Sequence, residues 1–518
     1  MRVLLFSMPD SFEHTPAVAI RMPNGALASL AGNAGAEHTV AVADLILAND
    51  RVAPTVECLI REHDPDVVGL SIMTFQRRTA LRLVRLIRAI KPTVVVVAGG
   101  YDPSLAPEAY AHASSGIDYI VRGEGELTFR ALLRALARGG DVSGIPGLLY
   151  RNGAAPGAGF IDTPARPVTR LGDGEIALPD RGARILTGYT FLGRQIDIVE
   201  TSRGCTYDCS FCSIIEMRGR NFHTFDFTRV LADIADARAR GARAIFLVDD
   251  NITLNVARFA ALCEAIVSAG LNDIHYIVQA MTSSIASHGD TLAPLMRKAG
   301  FRYVFLGIEN VLDEDLAFLR ASAKNTSRVG GRPAGNASVR AIERLHRAGL
   351  TVVGGIIVGN PDDTRASIEA NLAFARRYVD WPYIQHPTPY PGTPMTQAFR
   401  QRGLVANDRV EEYDGTTAVV RTAHLDPDEI EFLRWRAERW MKVRHLPSVL
   451  RHYPGFVLRN APWMCAHTFR GSSWRSALGL EDARTVFRRY KARRAAEREY
   501  LPEPAVPAPT GAPVAAQT

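Results

Sequence analysis

Three cysteines within eight residues constrain this chain more than any other feature. Cys205, Cys209 and Cys212 form a C-x₃-C-x₂-C arrangement in SRGCTYDCSFC, directly after a predicted strand. Clustered thiols in a long chain with only six cysteines indicate metal binding in a reducing compartment, not a disulfide scaffold. Three thiolates on a four-iron cluster leave one iron without a protein ligand. That iron can bind a small molecule through its amine and carboxylate groups.

A structural zinc site is the alternative interpretation of the triplet. Zinc needs a fourth protein ligand at a typical spacing. The next candidate, His223, follows eleven residues after Cys212 and lacks the usual paired spacing. We therefore expect a 4Fe–4S cluster on the three cysteines.

The first 145 residues alternate short apolar runs with amphipathic helical patterns. Runs such as TVVVVAGG are typical of strands buried on both faces of a parallel sheet. The pattern predicts a doubly wound α/β domain over residues 1–145. The predicted strands are Arg2–Ser7, Thr39–Leu45, Val67–Ile72, Val94–Ala98 and Tyr119–Val121.

A second strand–helix series follows a connecting segment, residues 146–189, that is rich in Gly, Pro and Arg. Six strand–helix units over residues 190–402 predict a partial (β/α)₆ barrel whose chemistry lies at the C-terminal strand ends. Residues 403–500 predict a basic helical cap, and the Pro- and Ala-rich residues 501–518 a disordered tail. The predicted barrel strands are Asp197–Thr201, Ala244–Val248, Tyr276–Gln279, Tyr303–Ile308, Val352–Val358 and Tyr383–His386.

The cysteine triplet, with an aromatic residue before its third cysteine, resembles the signature of the radical S-adenosylmethionine (SAM) superfamily. The resemblance implies that one electron from the cluster cleaves SAM to methionine and a 5′-deoxyadenosyl radical. It also implies that Phe211 packs near the adenine of SAM. An ordinary core aromatic is the alternative role for Phe211.

Three later segments resemble the motifs with which this superfamily binds SAM. FLVDDN (246–251) replaces the usual glycine-and-glutamate motif at the second barrel strand, and its carboxylates can accept from an ammonium group. Helix N-capping is the alternative for either aspartate. LGIEN (306–310) resembles the segment that meets the ribose and carboxylate, and GGIIVGNPDDT (354–364) resembles the G-x-I-x-G-x-P motif. The resemblance implies SAM contacts from Asp249, Asp250, Glu309, Gly355 and Gly359.

The N-terminal domain carries small residues where its third, fourth and fifth strands end. GLSIMTFQ (69–76), AGGYDPSLAPE (98–108) and VRGEGE (121–126) can approach a bulky ligand closely, although ordinary turns use the same residues. Beside a radical SAM core they resemble the cobalamin-binding domain of cobalamin-dependent radical SAM enzymes. The D-x-H-x-x-G motif, whose histidine ligates cobalt in some cobalamin proteins, is absent, as in many members of this architecture. The resemblance implies cobalamin contacts from Ser71, Thr74, Gly99, Gly100, Gly123 and Glu124.

The net charge of +7 is unevenly distributed along the chain. Between Arg434 and Tyr500, 16 lysines and arginines stand against 5 acidic residues. We interpret this segment as a helical cap that closes the open side of the barrel and exposes its arginines. Peripheral contact with an anionic membrane, which would suit a lipid substrate, is the alternative, and we expect no nucleic-acid partner. The sequence shows neither a signal peptide nor a spanning segment, so we expect a cytoplasmic protein.

Together these features predict a cobalamin-dependent radical SAM methyltransferase. The resemblance implies that one SAM supplies a methyl group and a second SAM supplies the radical that activates a carbon of a small-molecule or lipid substrate. It also implies an electron donor such as flavodoxin or ferredoxin. A radical oxidative cyclase of tetrapyrrole-type substrates is the main alternative. A tRNA methylthiotransferase and a cobalamin carrier are further alternatives, disfavoured respectively by the lack of N-terminal cysteines for a second cluster and by the complete triplet.

Overall fold

The computed structural model describes residues 1–12, 19–151, 159–329, 332–470, 475–476 and 478–501. Residues 502–518, nearly all of the predicted disordered tail, lie outside these ranges. Among the helices of the described ranges, none has the length and apolar character needed to cross a bilayer.

The N-terminal half is built on a mostly parallel sheet covered by helices. Its strands are β1 (Arg2–Ser7), β2 (Ile20–Arg21), β3 (Thr39–Asp44), β4 (Val67–Ser71), β5 (Val95–Gly99), β6 (Tyr119–Val121), β7 (Leu148–Arg151) and β8 (Phe160–Asp162). Its helices are α1 (Gly25–Asn33), α2 (Val52–His63), α3 (Arg77–Ile90), α4 (Tyr101–Leu105) and α5 (Glu126–Arg138).

The sheet order confirms the predicted doubly wound fold. The strands run β3-β1-β4-β5-β6-β7-β8, and β3 to β6 are parallel. This is the order of flavodoxin-like folds, in which ligands bind outside the strand C-termini where the order reverses, here between β1 and β4. Strands β7 and β8 lie in the segment predicted to be a linker and extend the sheet: β7 pairs antiparallel with β6, and β8 pairs antiparallel with β7.

The second half is a partial barrel. Its strands are β9 (Thr190–Phe191), β10 (Arg194–Val199), β11 (Ser202–Arg203), β12 (His223–Thr224), β13 (Ala244–Leu247), β14 (His275–Met281), β15 (Phe301–Glu309), β16 (Thr326–Val329), β17 (Arg332–Asn336), β18 (Thr351–Ile357) and β19 (Trp381–Gln385). Its helices are α6 (Ser213–Arg218), α7 (Phe227–Ala239), α8 (Val256–Ser268), α9 (Thr282–Lys298), α10 (Asp313–Phe318), α11 (Ser322–Asn325), α12 (Ser338–Arg347), α13 (Arg365–Tyr378) and α14 (Pro394–Gln401).

Six parallel strands, β10, β13, β14, β15, β18 and β19, are neighbours in chain order and confirm the predicted (β/α)₆ barrel. Their apolar residues form one core with the inner faces of the surrounding helices, such as Phe259 and Leu262 of α8. At the open edge, β10 pairs with β9, and β9 pairs with β2 from the N-terminal half. The two halves therefore share a sheet edge.

The C-terminal region is helical, as predicted, with α15 (Pro427–His452), α16 (Pro454–Arg470) and α17 (Ala483–Glu497). Helix α15 packs against α13 and β19. Arg488, Arg489 and Arg493 of α17 are exposed, as expected, but Arg494 departs from that expectation. Arg494 is buried and donates to Asp414 at 2.7 Å, and Lys491 pairs with Asp428 at 2.5 Å. Acidic residues of the cap therefore neutralise part of the basic excess.

Candidate functional site: a cysteine loop facing a glycine-lined cavity

The cysteine loop, residues 200–212, connects β10 to α6 at the C-terminal end of the strand, where barrel enzymes place their chemistry. Cys209 is buried, and Cys205 and Cys212 are half-buried. Burial raises the pKa of the Cys209 thiol to about 11 and that of Cys212 to about 12. These thiols are therefore protonated near neutral pH until a metal displaces the proton.

The donor set of the cysteine loop fits an iron–sulfur cluster. Within the described part of the chain, no three His, Cys, Asp or Glu side chains gather around the position of a single metal ion. A four-iron cluster requires no such convergence, because each cysteine binds a separate iron. Cys205, Cys209 and Cys212 are the residues that would hold the cluster.

Asp249 anchors the start of the cysteine loop by accepting hydrogen bonds from Thr201 and Ser202. Its side chain is buried, with 1% exposure, and one carboxylate oxygen accepts from the backbone N–H of Thr201 at 2.6 Å. The other oxygen accepts from the hydroxyls of Thr201 and Ser202. Burial raises the pKa of Asp249 to about 6. Both oxygens are engaged by the loop, so the structure gives this predicted SAM contact a positioning role.

The next two residues hold the middle of the loop. Asp250 accepts from the backbone N–H of Gly204 at 2.7 Å and pairs with Arg218 at 3.2 Å. The side-chain amide nitrogen of Asn251 lies 3.7 Å from Cys205 Sγ. The segment that departs from the usual family motif is therefore a three-point anchor for the residues that would bind the cluster.

A charged pair, Glu309 and Lys324, lies beside the cysteines at the end of β15. Glu309 ends β15 with φ of 58°, a left-handed conformation that non-glycine residues rarely adopt and that is often found at functional sites. Its Oε1 lies 3.1 Å from Lys324 Nζ, which in turn lies 6.0 Å from the ring centre of half-buried Phe211. Burial alone would lower the pKa of Lys324, but the interactions with Glu309 and Cys209 are stronger, so the pKa of Lys324 is raised. The pair can receive the zwitterionic amino-acid end of SAM.

Lys324 belongs to the functional residues that the sequence analysis missed. It lies in the short helix α11 within ASAKN, a segment with no recognisable motif. Only the fold brings it beside Glu309. Arg203 and Glu126 lie inside the quoted segments SRGCTYDCSFC and VRGEGE, and Glu200 lies just before the first of them, but no sequence pattern assigned these residues a role, because Arg203 meets Glu126 only in the folded chain.

The two predicted glycines of the fifth barrel strand have different roles. A Cβ on Gly355 would lie 2.9 Å from ring atoms of Phe305, so this glycine makes room for a neighbouring side chain. Gly359 has φ of 103° and donates its N–H to Asp363 at 2.8 Å, in a turn that only glycine adopts readily.

A cavity of about 320 Å³ opens where β4, β5 and β6 of the N-terminal sheet end. One wall belongs to the barrel and includes Glu200 and Arg203 of the cysteine loop and Met217 and Arg218 of α6. Thr74 is buried in the turn after β4 and is not among the lining residues, unlike the other predicted cobalamin contacts. The lining includes Ser71, Gly99, Gly100, Gly123 and Glu124.

The lining of this cavity suits a bulky ligand that approaches the ends of the strands. Gly100 has φ of 100°, and a Cβ there would lie 2.7 Å from the carbonyl oxygen of Ile72, so only glycine fits at this rim. Below the rim the cavity continues between the sheet and helices α1 and α5, lined by Leu27, Val97 and Phe129. The glycine rim would face the corrin ring, and the apolar depth would receive the nucleotide tail. The cavity lies at the C-terminal ends of the parallel strands, where flavodoxin-like folds bind their ligands.

Comparison with known families divides the chain in the same way. Residues 18–133 match the B12 binding domain, and residues 199–375 match the Radical SAM superfamily. The first match contains β4, β5 and β6 with the cavity rim, and the second begins just before the cysteine loop.

Two relatives and one solved structure illustrate the similarity. An uncharacterized methyltransferase of Pyrococcus horikoshii is 28% identical over 89% of this chain and 97% of its own. The anaerobic magnesium-protoporphyrin IX monomethyl ester cyclase of Rubrivivax gelatinosus is 28% identical over 83% of this chain and 74% of its own. The structure of the radical SAM methyltransferase TsrM from Kitasatospora setae, with cobalamin and a [4Fe–4S] cluster bound, shares the fold with a TM-score of 0.62 and 21% identity, covering 78% of this chain and 79% of that one.

The two domains, the cysteine loop and the cavity agree with these matches. The chain therefore belongs to the radical SAM superfamily, in the cobalamin-dependent branch whose enzymes join a B12-binding domain to a radical SAM barrel.

Proposed function

We propose that the protein transfers a methyl group from SAM to an unactivated carbon of a small-molecule or lipid substrate. The observation that carries the proposal is the shared cavity. Gly100 and Glu124 of the B12-binding domain form one wall, and Arg203 and Arg218 beside the cysteine loop form the other. Radical formation and methyl delivery must act on the same substrate atom, so their two sites have to face each other.

The chain's own residues supply positioning and exclusion of water. When bound, the cluster would supply the electron that cleaves SAM and cobalamin would carry the methyl group. Asp249 and Asp250 hold the loop that binds the cluster, and the Glu309–Lys324 pair orients the amino-acid end of SAM. Burial of these groups strengthens each electrostatic contact in the site.

The relatives support methyl transfer and identify the second candidate. The Pyrococcus relative that matches over almost its whole length is named a methyltransferase. The Rubrivivax relative is named a cyclase, so radical oxidative cyclisation of a tetrapyrrole-type substrate is the function to test against methylation.

The test is anaerobic turnover of protein reconstituted with iron, sulfide and hydroxocobalamin, with SAM and a strong reductant. We expect both 5′-deoxyadenosine and S-adenosylhomocysteine, the latter only when cobalamin is present, and neither product from Cys209→Ala. Formation of 5′-deoxyadenosine without S-adenosylhomocysteine would refute methyl transfer and favour cyclisation. No SAM cleavage by the reconstituted protein would refute both.

Peripheral membrane contact belongs to the proposal for a lipid substrate. Leu450 of α15 and Leu458 of α16 are 45% and 75% exposed, and exposed Arg451 and Arg459 follow them directly. Apolar and basic side chains together are typical of peripheral binding to anionic lipids. We expect the protein to float with phosphatidylserine vesicles, and Leu458→Glu to weaken flotation. A cytoplasmic location and a donor such as flavodoxin or ferredoxin stay predictions.

A further inference from the structure

A buried network of charges joins the cavity to both ends of the cysteine loop. Arg203 lies two residues before Cys205 and is 5% exposed. Arg218 ends α6, the helix that begins directly after Cys212. Both arginines line the cavity.

The B12-binding domain holds the first of these arginines. Arg203 donates to Glu126 at 2.6 Å and lies 3.7 Å from Glu124, and both glutamates belong to the VRGEGE segment after β6. It also donates to Glu200 of the loop itself at 2.8 Å. Burial would raise the pKa of Glu126, but Arg203 and Ser29 outweigh it and lower the pKa to about 2. Glu126 is therefore a permanent anion in contact with the loop.

Glu124 reaches both ends of the loop. Its Oε1 lies 3.7 Å from Arg203 and 4.0 Å from Arg218, distances of ion pairs and not of hydrogen bonds. The same Oε1 atom is buried and has no hydrogen-bond donor among the described residues, although Glu124 lines the cavity. A buried carboxylate oxygen without a donor is costly unless an occupant of the cavity supplies one. The amide side chains on the rim of cobalamin carry such N–H donors.

We propose that Glu124 couples the two cofactor sites: it accepts a hydrogen bond from an amide of bound cobalamin and, together with Glu126, holds the arginines at both ends of the cysteine loop. Cobalamin occupancy therefore stabilises the loop that binds the cluster, and the cluster in turn favours cobalamin. The coupling does not depend on methyl transfer, because it concerns binding alone.

The test measures the dissociation constant of hydroxocobalamin anaerobically by equilibrium dialysis. The cluster-loaded protein is compared with the Cys205→Ala/Cys209→Ala/Cys212→Ala variant, which lacks the cluster. Allosteric coupling commonly changes affinity by roughly 5- to 150-fold, and we expect about tenfold tighter binding with the cluster. Glu124→Gln should bring this ratio close to one, because a neutral amide no longer holds the two arginines.

A matched control and a reciprocal measurement complete the test. Glu37 pairs with Arg134 at 2.9 Å on the exposed part of α5, so Glu37→Gln should keep the ratio of the unmodified protein. By linkage, hydroxocobalamin should increase the amount of iron that the unmodified protein retains at equilibrium with a chelator. It should not change the amount that Glu124→Gln retains. If Glu124→Gln fails to fold, Glu124→Asp shortens the side chain and carries the same expectation.

Equal hydroxocobalamin affinity with and without the cluster would overturn this inference and leave the proposed methyl transfer intact. A full ratio retained in Glu124→Gln would also overturn it. No hydroxocobalamin binding by either protein would overturn both the coupling and the proposed function.

Discussion

Asp249→Ala tests whether the aspartate anchors the cysteine loop. The substitution removes the acceptor of the Thr201 N–H, a group on a residue with 0% exposure, and the acceptor of two neighbouring hydroxyls. A buried donor left without an acceptor costs about 1–3 kcal/mol. The N–H incurs this penalty in full, whereas the hydroxyls can rotate toward other acceptors. We therefore expect the free energy of unfolding to fall by about 2–4 kcal/mol.

The assay is urea unfolding of the cluster-free protein, followed by far-UV circular dichroism. Asp249→Asn keeps an acceptor for the Thr201 N–H, so at pH 4, where the Asp249 side chain is also uncharged in the folded protein, we expect the variant to lie within about 1 kcal/mol of the unmodified protein. The matched control is Asp226→Ala at the start of α7, an exposed aspartate without a capping hydrogen bond, which should change stability by less than about 0.5 kcal/mol. Unfolding of Asp249→Ala at the same urea concentration as Asp226→Ala would refute the anchoring role.

Three further predictions concern the same site. The pKa of Asp249 is raised from 3.8 to about 6 in the folded state, so its protonation stabilises the fold fully below pH 3.8, and this contribution is lost as the pH rises through about 6. In urea titrations, the unmodified protein should therefore lose about 3 kcal/mol of stability between pH 4 and 7 relative to Asp249→Asn. A stability difference that stays constant over this range would contradict the shift. Gly100→Ala should abolish hydroxocobalamin binding in equilibrium dialysis because its Cβ would meet the Ile72 carbonyl oxygen, whereas Gly139→Ala, also at positive φ but in open space, should bind normally; equal binding by both variants would contradict the rim assignment. Cys209→Ala should lose the visible absorbance and the reduced-state EPR signal of the cluster after reconstitution, whereas Cys58→Ala, at an exposed cysteine outside the loop, should keep both; a cluster retained in Cys209→Ala would contradict the assignment.

Most helices and strands were predictable because the local pattern of apolar and polar residues agrees with the structure that each segment adopts. Strands β1 and β6 have the predicted bounds, since the apolar run of β1 ends shortly before Pro9 and that of β6 lies between Asp118 and Arg122. The short strands β7 and β8 were missed because residues 146–189 are rich in turn formers, and their pairing depends on the neighbouring edge of β6. Tertiary context decides such short edge strands.

The roles of individual site residues were less predictable than their positions. Asp249 does lie at the end of its barrel strand, but only the fold shows that Thr201 and Ser202 engage both of its oxygens. Lys324 carries no local signal at all, because its role arises from the approach of α11 to Glu309. Side-chain partners across more than ten residues are a product of packing, which sequence periodicity does not encode.

Pulsed EPR on protein loaded with both cofactors tests most directly whether the cavity and the cysteine loop form one site. We expect reduction of the cluster to enhance the spin relaxation of cob(II)alamin, and we expect no such enhancement in the Cys205→Ala/Cys209→Ala/Cys212→Ala variant. Cob(II)alamin relaxation that is unchanged by the reduced cluster would contradict the shared site.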